Sequence, residues 1–335
     1  MLGPRSVPTL PTTMRKRRFL ALSGFAAAGL TFCKKAEEPA TKLRFGHFPN
    51  ITHVQGLVAH QLSRRNEGWF EKRIGLPVEW YTYNAGPSAA EAIFAGSLDV
   101  TYIGPSPVLN AYSRSNGKEM RVLSGAANGG TALLIRADST VTKPEDFRGK
   151  VMATPQLGNT QDVQARAWLE DHGMHVTQTG GEVIVKPTEN PDQLDLLKTG
   201  KLEAVWTVEP WVTRLEMDAG AKVFYEDRDT NVTLLAARAA FASSQAPLAA
   251  KVVAAHKELT EWIKQHPAET KELVKAELEA ITKAKLKDEL IVRALSRVVI
   301  TDDISRKSLD AMVSNAQKAG FLKDIPSLDA LFPKV

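Results

Sequence analysis

Small hydroxyl and amide side chains stand where several helices are predicted to begin: Ser106, Asn159, Thr160 and Gln161. Backbone N–H groups in the first turn of a helix have no partner within the helix, and the positive end of the helix dipole attracts anions. Such positions can therefore hold a compact oxyanion without an arginine. The competing interpretation is plain N-capping, for which the same residue types are preferred. Both interpretations are correct if a capped helix start also faces a ligand.

Two further candidates allow more than one role. Trp211, in the stretch 208–211, is either a half-buried residue in a turn or an apolar wall of a cleft. Glu209 either braces that turn or meets an amine of the ligand. His53 stands at a predicted helix start, where a histidine is more often structural than a ligand. The complete set of candidate ligand-binding residues is Asn50, His53, Ser106, Asn128, Asn159, Thr160, Gln161, Glu209 and Trp211.

The familiar catalytic and metal-binding motifs are missing from the sequence. There is no Gly-x-Ser-x-Gly nucleophile turn, no phosphate-binding Gly-Lys-Ser/Thr loop and no His-Glu-x-x-His pair. His172 and His175 flank a glycine at a predicted helix end, so they do not share a helical face as metal ligands would. The sequence therefore predicts a binding protein, with no cofactor and no metal, and an enzyme is the less favoured alternative.

The positive charge of the chain is concentrated at its beginning. The sequence has 43 Lys and Arg against 38 Asp and Glu, a formal net charge of +5. Residues 1–33 contain five basic and no acidic side chains, so the remainder has no net charge. A nucleic-acid binder needs a basic face, which this balance does not predict.

The first 33 residues have the pattern of an export signal. A basic stretch at 14–18 precedes an apolar run at 19–32, which is shorter than the roughly 20 residues of a membrane span. Both Met1 and Met14 are possible starts, and the basic stretch also resembles a twin-arginine signal. Cys33, the one cysteine, ends a segment that resembles a bacterial lipobox, Leu30-Thr-Phe-Cys33. We therefore expect a lipid-anchored protein outside the cytoplasm, with residues 34–41 as a tether; an incidental thiol is the alternative.

A faint internal repeat predicts two similar halves. Three pairs of landmarks, Pro49 and Pro155, Asn84 and Asn190, Gly96 and Gly200, are offset by 106, 106 and 104 residues. Each half reads as strand, helix, strand, helix, strand, and such an order implies parallel strands with right-handed crossovers. We therefore expect an α/β fold with two mainly parallel sheets. Ligands of such sheets bind beyond the carboxyl ends of the strands.

The order of the elements predicts a two-lobed clamp. Two β-rich runs, 130–136 and 231–237, are the expected crossover strands between the lobes. Lobe 1 is assigned to 42–128, lobe 2 to 129–231, and 232–335 to a return to lobe 1 with C-terminal helices. Two lobes joined by two strands can close on a ligand by a hinge motion. The expected C-terminal helices span 247–265, 268–280, 288–298 and 305–319.

Three segments carry a family resemblance: 95–100 (AGSLDV), 155–161 (PQLGNTQ) and 208–211 (VEPW). They resemble periplasmic solute-binding components of sulfonate, taurine and nitrate ABC importers, and the similarity covers about residues 42–325. It implies a type II periplasmic-binding-protein fold and ligand contacts at four loops, 49–53, 103–107, 155–161 and 208–211. It also implies a small anionic solute, most readily an aliphatic sulfonate, and an ABC permease with its ATPase as partner.

Other functions remain open beside this one. Relatives that bind nitrate or a pyrimidine precursor share the framework, and a sensory or accessory binding protein of the same fold is a further alternative. We expect a monomer that touches the membrane only through its lipid anchor and that does not bind nucleic acid.

Overall fold

The computed structural model describes residue 3 and residues 40–333. The predicted lipidation of Cys33, the export signal and nearly all of the tether lie outside the described residues and stay predictions. From Ala40 onward the chain belongs to one compact unit, 38–335. Among the described residues, no helix has both the length and the apolar character that crossing a membrane requires.

The described chain alternates strands and helices throughout its first two thirds and is helical in its last third. The strands are β1 Leu43–His47, β2 Val78–Thr82, β3 Val100–Ile103, β4 Met120–Gly129, β5 Thr131–Ile135, β6 Val151–Thr154, β7 Ile184–Pro187, β8 Ala204–Val208, β9 Lys222–Asp227, β10 Asn231–Arg238 and β11 Val298–Ile300. The helices are α1 Val54–Arg64, α2 Trp69–Ile74, α3 Gly86–Phe94, α4 Pro105–Arg114, α5 Thr160–Asp171, α6 Asn190–Lys198, α7 Trp211–Ala219, α8 Ala239–Ser244, α9 Ala246–Gln265, α10 Pro267–Thr282, α11 Asp288–Leu295 and α12 Arg306–Lys318. Short 3-10 turns add Ile51–His53, Pro144–Phe147 and Leu328–Leu331.

The strands form two sheets of the same design, which confirms the α/β architecture. The first sheet has the order β11-β4-β10-β3-β1-β2 and the second the order β7-β6-β8-β5-β9. In the first, β2, β1 and β3 are parallel, and in the second β7, β6 and β8 are parallel. These are the strands of the predicted repeat. We call the parts of the molecule built on the first and second sheets lobe 1 and lobe 2.

One detail of the prediction needs correction: parallel pairing is confined to three strands in each sheet. Beside them, β10 pairs antiparallel with β3 and β4, and β5 pairs antiparallel with β8 and β9. The strands that enter or leave a lobe run back along its sheet, so they pair antiparallel. Both sheets are therefore mixed.

The chain changes sheets at two short connections. Gly129 and Gly130 join β4 to β5, and both have positive φ, 69° and 66°. A side chain would be strained at both positions, so glycine permits this tight transition. The return connection lies between β9 and β10, at 228–230. These positions lie close to the predicted lobe boundaries, which remain a proposal.

Successive apolar side chains of a strand point to opposite faces of its sheet, so each sheet has a core on both faces, covered by helices. In β10, Val232 and Leu235 belong to one core and Leu234 to the other. In lobe 2, Leu133 and Leu134 of β5 likewise enter separate cores. Both faces of each sheet are therefore buried, and the polar loops lie at the ends of the parallel strands.

The C-terminal helices follow the prediction except after Leu295. A helix was expected over 288–298, but α11 ends at Leu295 and Val298 begins a strand. Val298 pairs with Gly129 at the edge of the first sheet. Edge pairing, which depends on residues far away in sequence, overrides the local helical pattern here.

Candidate functional site

A small cavity lies where the carboxyl ends of the parallel strands of both sheets meet. Its volume is about 30 Å³, room for one or two water molecules by general cavity criteria. It is lined from both lobes, mostly by residues near the starts of helices and otherwise by residues of the adjoining strands. The lining residues are Phe48, Asn50, Thr52, His53, Asn84, Ala85, Gly86, Gly104, Pro107, Pro155, Asn159, Thr160, Gln161, Asn190, Val208 and Val232.

The lobe 1 side contributes the 3-10 turn that leads into α1. Asn50, Thr52 and His53 are all buried there. The Asn50 Oδ1 and His53 Nδ1 atoms are buried without a hydrogen-bond partner among the described residues. A buried polar atom without a partner costs free energy, so these two atoms are available to a ligand. The turn is tied to lobe 2 because the Ile51 N–H donates to the Glu209 carbonyl at 2.8 Å.

His53 is held in its uncharged form. Its burial, followed by the charge of His47, lowers the pKa of the His53 imidazole well below 6.5. Its ring lies 4.3 Å from that of Phe48, centroid to centroid. A neutral imidazole carries one N–H, so His53 can donate one hydrogen bond to an anion without adding a positive charge.

The lobe 2 side is the start of α5. Asn159 caps this helix, since its side chain accepts from the Asp162 N–H at 2.8 Å, and its amide donates to Gln161 Oε1 at 3.2 Å. The N-capping interpretation is thus confirmed for Asn159. The backbone N–H groups of Thr160 and Gln161, in the first turn, have no carbonyl partner within the helix. Asn159 therefore braces a helix start that lines the cavity.

A buried ion pair fixes α5 from behind. Asp162 and Arg166 have fully buried side chains, with Arg166 Nε 3.1 Å from Asp162 Oδ2. Asp162 also accepts from the Thr154 hydroxyl at 2.7 Å and from the Gly158 N–H at 2.9 Å. The carboxylate thereby joins strand, loop and helix, and it holds the Gly158–Thr160 loop against the cavity.

The two lobes meet closely beside the cavity. The Ser106 N–H lies 3.4 Å from Thr160 Oγ1, and the Ser106 hydroxyl donates to the Gly158 carbonyl at 3.2 Å. A Cβ atom added to Gly104 would lie 2.3 Å from Thr160 Oγ1. A side chain at position 104 would therefore have to displace the Thr160 hydroxyl or separate the lobes.

Of the nine predicted ligand-binding residues, the structure gathers five around this cavity: Asn50, His53, Asn159, Thr160 and Gln161. Ser106, Asn128, Glu209 and Trp211 are not among the lining residues. Ser106 makes the interlobe contact above. Asn128 accepts from the Asn231 side chain at the edge of the crossover.

Glu209 and Trp211 lie at the start of α7. The Glu209 carboxylate accepts from the Thr213 hydroxyl at 2.8 Å and from Arg297 Nη1 at 3.0 Å. Burial raises the pKa of Glu209, and the hydrogen bonds from Thr213 and Arg297 act in the opposite direction. Trp211 is buried, with the Arg214 guanidinium 5.2 Å from its ring. For Glu209 the bracing role therefore has direct contacts to support it.

Two lining residues escaped the prediction of the site, although the repeat had marked them. Asn84 follows β2 and Asn190 follows β7, at equivalent places in the two halves, and both line the cavity. Asn190 is the first residue of α6, and its Oδ1 accepts from the Thr207 hydroxyl at 2.9 Å. Equivalent residues of the internal repeat meet at the interlobe cleft, so the repeat alone could have identified Asn84 and Asn190 as site residues.

The electrostatics of the cavity come from helix ends rather than from charged side chains. The starts of α3, α4, α5 and α6 and of the turn before α1 surround it, and its lining contains no lysine, arginine or carboxylate. The starts of α3, α5 and α6 present N–H groups that have no partner within the helix, and every helix start adds the positive end of a dipole. At the start of α4 only the dipole is available, because Pro105 and Pro107 have no N–H and the Ser106 N–H faces Thr160 Oγ1. This arrangement can bind a compact anion by hydrogen bonds alone.

Two mixed sheets with helices on both faces, joined by two connections and meeting at a cleft of helix starts, define the periplasmic-binding-protein fold. The structure of the alkanesulfonate-binding protein SsuA from Xanthomonas axonopodis pv. citri bound to MOPS has this fold; the TM-score is 0.70 at 16% identity, covering 88% of this chain and 98% of that chain. The periplasmic nitrate-binding protein NrtA from Synechocystis PCC 6803 has a TM-score of 0.65 at 17% identity, covering 87% and 84%. These likenesses show the fold.

The sequence itself defines the family. Residues 36–278 match the NMT1-like family, to which this chain belongs. The taurine-binding periplasmic protein of Escherichia coli (strain K12) is 27% identical over 171 residues, 49% of this chain and about half, 51%, of that protein. A putative aliphatic sulfonates-binding protein of Bacillus subtilis (strain 168) is 21% identical over 262 residues, 75% of this chain and 76% of that protein.

Proposed function

We propose that this chain is the extracytoplasmic solute-binding component of an ABC importer and that it captures an aliphatic sulfonate. The cavity described above is the observation that carries the proposal. Five helix starts surround a small space whose lining has no charged side chain. A sulfonate head is a compact anion with three acceptor oxygens, which suits several N–H donors converging from both lobes. Neutral His53 adds a donor of the same kind.

The relatives support the same chemistry. Two proteins named for taurine and for aliphatic sulfonates share 27% and 21% of their aligned residues with this chain. The family consists of binding proteins, which supports a role in capture rather than catalysis. An importer role implies an ABC permease with its ATPase as partner of a monomeric binding protein.

A second cavity offers space for the tail of such a ligand. It has a volume of about 190 Å³ and shares Pro107 with the first. Ala90, Leu157 and Phe321 are among its lining residues and give it an apolar character. An anion with a short hydrocarbon tail could place its head at the helix starts and its tail here, whereas a bare oxyanion gains nothing from the second cavity.

Nitrate is the second candidate solute. The space at the helix starts is small enough for a bare oxyanion, and a nitrate-binding protein shares the fold. The second cavity is what favours a sulfonate with a tail over nitrate. The two solutes are distinguished directly by binding measurements.

A thermal-shift screen tests the function. Taurine, short and long alkanesulfonates, nitrate, phosphonates and pyrimidines would each be added to the purified protein. A solute present at about 100 times its dissociation constant adds about 2.7 kcal/mol to the free energy of unfolding. We expect that shift with an alkanesulfonate and a smaller one with nitrate. A shift with pyrimidines and none with any sulfonate would contradict the proposal.

The location of the protein is a separate proposal that rests on the lone Cys33 after the apolar run. We propose that a lipid on Cys33 anchors the exported protein to the outer face of a membrane. Cell fractionation of Cys33→Ser should find the protein in the soluble exported fraction, with Ser23→Ala as a control that stays with the membrane. A Cys33→Ser protein that remains membrane-bound would show that the lipid anchor is absent.

A further inference from the structure

A second group of polar side chains lies behind the cleft, in the core of lobe 1. It consists of His47 at the end of β1, His60 in α1 and Glu277 in α10. All three are buried, with exposed fractions of 0%, 9% and 0%. The sequence distances between them are large, so the fold alone brings them together. Solute capture at the cleft uses none of these side chains.

The polar atoms of this cluster converge on one point. His60 Nδ1 lies 2.9 Å from His47 Nε2 and 2.8 Å from Glu277 Oε1. The three atoms all lie within 4.8 Å of one another. His60 Nδ1 can carry at most one proton, so a hydrogen bond to one neighbour leaves it poorly matched to the other. A cation between the three atoms satisfies all of them at once.

A contact of His47 with the backbone directs the lone pair of one ring nitrogen, Nε2, toward His60 and Glu277. The other ring nitrogen of His47, Nδ1, lies 3.3 Å from the Phe48 carbonyl, which is an acceptor. The proton of His47 is therefore assigned to Nδ1, and Nε2 carries a lone pair. A histidine that donates one ring N–H to a backbone carbonyl and turns the other nitrogen inward is the usual arrangement of a metal ligand.

The carboxylate is oriented in a corresponding way. Arg64 Nε lies 2.8 Å from Glu277 Oε2, which leaves Oε1 to face the two histidines. Oε1 has no conventional hydrogen-bond partner among the described residues. The guanidinium thus acts from outside the cluster, because it holds the ligand oxygen in place without occupying it.

Packing makes the cluster rigid. The Trp80 ring stacks on that of His60 at a centroid distance of 5.2 Å and an angle of 14°. Gly56 of α1 approaches His47 so closely that a Cβ there would lie 2.7 Å from His47 Cβ. The histidines therefore keep their positions without a bound ion.

We propose that His47 Nε2, His60 Nδ1 and Glu277 Oε1 bind one divalent transition-metal ion, for which two imidazoles and a carboxylate favour Zn²⁺. Ligand atoms of a tetrahedral zinc site lie about 3.3 Å apart, given Zn–N distances of about 2.0–2.1 Å. The two separations from His60 Nδ1, 2.8 and 2.9 Å, need to open by about 0.4–0.5 Å, and the third pair of ligand atoms lies within 4.8 Å. Water takes the fourth position. The ion ties β1 to α1 and α10, next to Phe48 in the wall of the cleft.

Zinc titration of the full chain tests this assignment. The protein carries Cys33→Ser, is purified without a histidine tag and is stripped with EDTA, so that neither a lipid nor a competing thiol is present. We expect one equivalent of Zn²⁺ to bind saturably and to raise the melting temperature. Co²⁺ in its place should give the intense visible absorption of a tetrahedral site. Glu277→Gln keeps the shape of the side chain and should weaken zinc binding by at least about tenfold.

His175→Asn is the matched control. His175 forms an exposed pair with Glu170, at 3.0 Å, and residues 40–333 supply no third ligand atom there. Its loss should leave zinc affinity unchanged. If Glu277→Gln does not fold, as judged by circular dichroism, His60→Gln replaces it and the cobalt spectrum of the unaltered protein decides. A cobalt spectrum like that of the aqueous ion, or zinc binding unaffected by Glu277→Gln, would overturn the assignment in favour of a shared proton.

Discussion

Replacement of Gly104 by alanine tests the closed cleft at its tightest point. Gly104 has φ −70° and ψ 155°, which alanine adopts without strain. The backbone therefore does not resist the change. A new Cβ atom would lie 2.3 Å from Thr160 Oγ1 and 3.3 Å from Thr160 Cβ, across the interface between the lobes. Either the lobes separate slightly, or the Thr160 hydroxyl turns away from its place beside the cavity.

The loss of solute affinity can be estimated for both outcomes, separation of the lobes and rotation of the Thr160 hydroxyl. Forcing an extra methyl group into a packed site costs about 1–3 kcal/mol. Loss of a hydrogen bond to a charged group costs about 1.5–3 kcal/mol. With a tenfold change in affinity for each 1.4 kcal/mol, we expect solute binding to weaken by about 5- to 150-fold. The strain arises where the lobes meet, so the melting temperature of the ligand-free protein should change little.

Isothermal titration calorimetry with the tightest-binding alkanesulfonate measures this loss. Gly180→Ala is the matched control, since a Cβ at position 180 meets nothing within 4 Å. Thr160→Ala removes the oxygen that the new methyl group would strike, so Gly104→Ala should cost less in that background. If Gly104→Ala binds as tightly as the unaltered protein, the close approach of Gly104 and Thr160 is not part of the bound state.

Three further predictions concern charge, the buried ion pair and pH. Asn84→Asp places a carboxylate at the cavity and should weaken anion binding by at least about tenfold, whereas Asn66→Asp on the exposed surface should not; equal affinities in calorimetry would contradict the site. Arg166→Met leaves the Asp162 carboxylate buried without its partner, so urea unfolding should show a loss of about 3–5 kcal/mol; a loss no larger than that of a surface variant would refute this role. Burial lowers the pKa of His256 from 6.5 to about 4. The unfolded chain binds a proton at His256 at higher pH than the folded chain does. The free energy of unfolding therefore falls as pH drops from about 6.5 to about 4, by up to about 1.4 kcal/mol per pH unit. Urea unfolding at about pH 7 and about pH 5 should show a smaller loss of stability in His256→Gln than in the unaltered protein.

The repeat made most of the fold predictable from the sequence. Parallel strands need crossover helices, and the glycines that end those helices recur at nearly constant spacing. Gly96 and Gly200 indeed have positive φ, 66° and 72°. The antiparallel strands were harder, because β4, β9 and β11 find their partners through contacts distant in sequence. Val298 illustrates this, since nothing local distinguishes its strand from the end of a helix.

The site was predictable where local chemistry and position coincide. Asn159 and Thr160 lie at the start of a helix, in the loop that follows a strand, and the residue types predict both elements. Glu209 shows the limit of this reasoning. Its loop reaches the interface, but Arg297, 88 residues further along the chain, donates a hydrogen bond to the carboxylate. A contact of that kind has no signature in the local sequence.

The cluster of His47, His60 and Glu277 lay entirely beyond local patterns. Its members come from a strand and two helices, and one of its outer contacts, Arg64, lies on the helix of His60. Metal motifs are recognised when ligands share a short spacing. Here the ligand atoms meet only after the C-terminal helices have packed on lobe 1, so the fold had to be known first.

The proposed site binds its anion through helix starts in the interlobe cavity, without a cationic side chain. The most direct test compares ethanesulfonate with its neutral counterpart ethanesulfonamide by calorimetry at low and high salt. Hydrogen bonds to a charged group are roughly twice as strong as those to a neutral one. We expect ethanesulfonate to bind at least about tenfold more tightly than the amide. Salt should change this difference little, because the site is buried. Equal affinities for the two, or no measurable binding of ethanesulfonate, would contradict the proposed site.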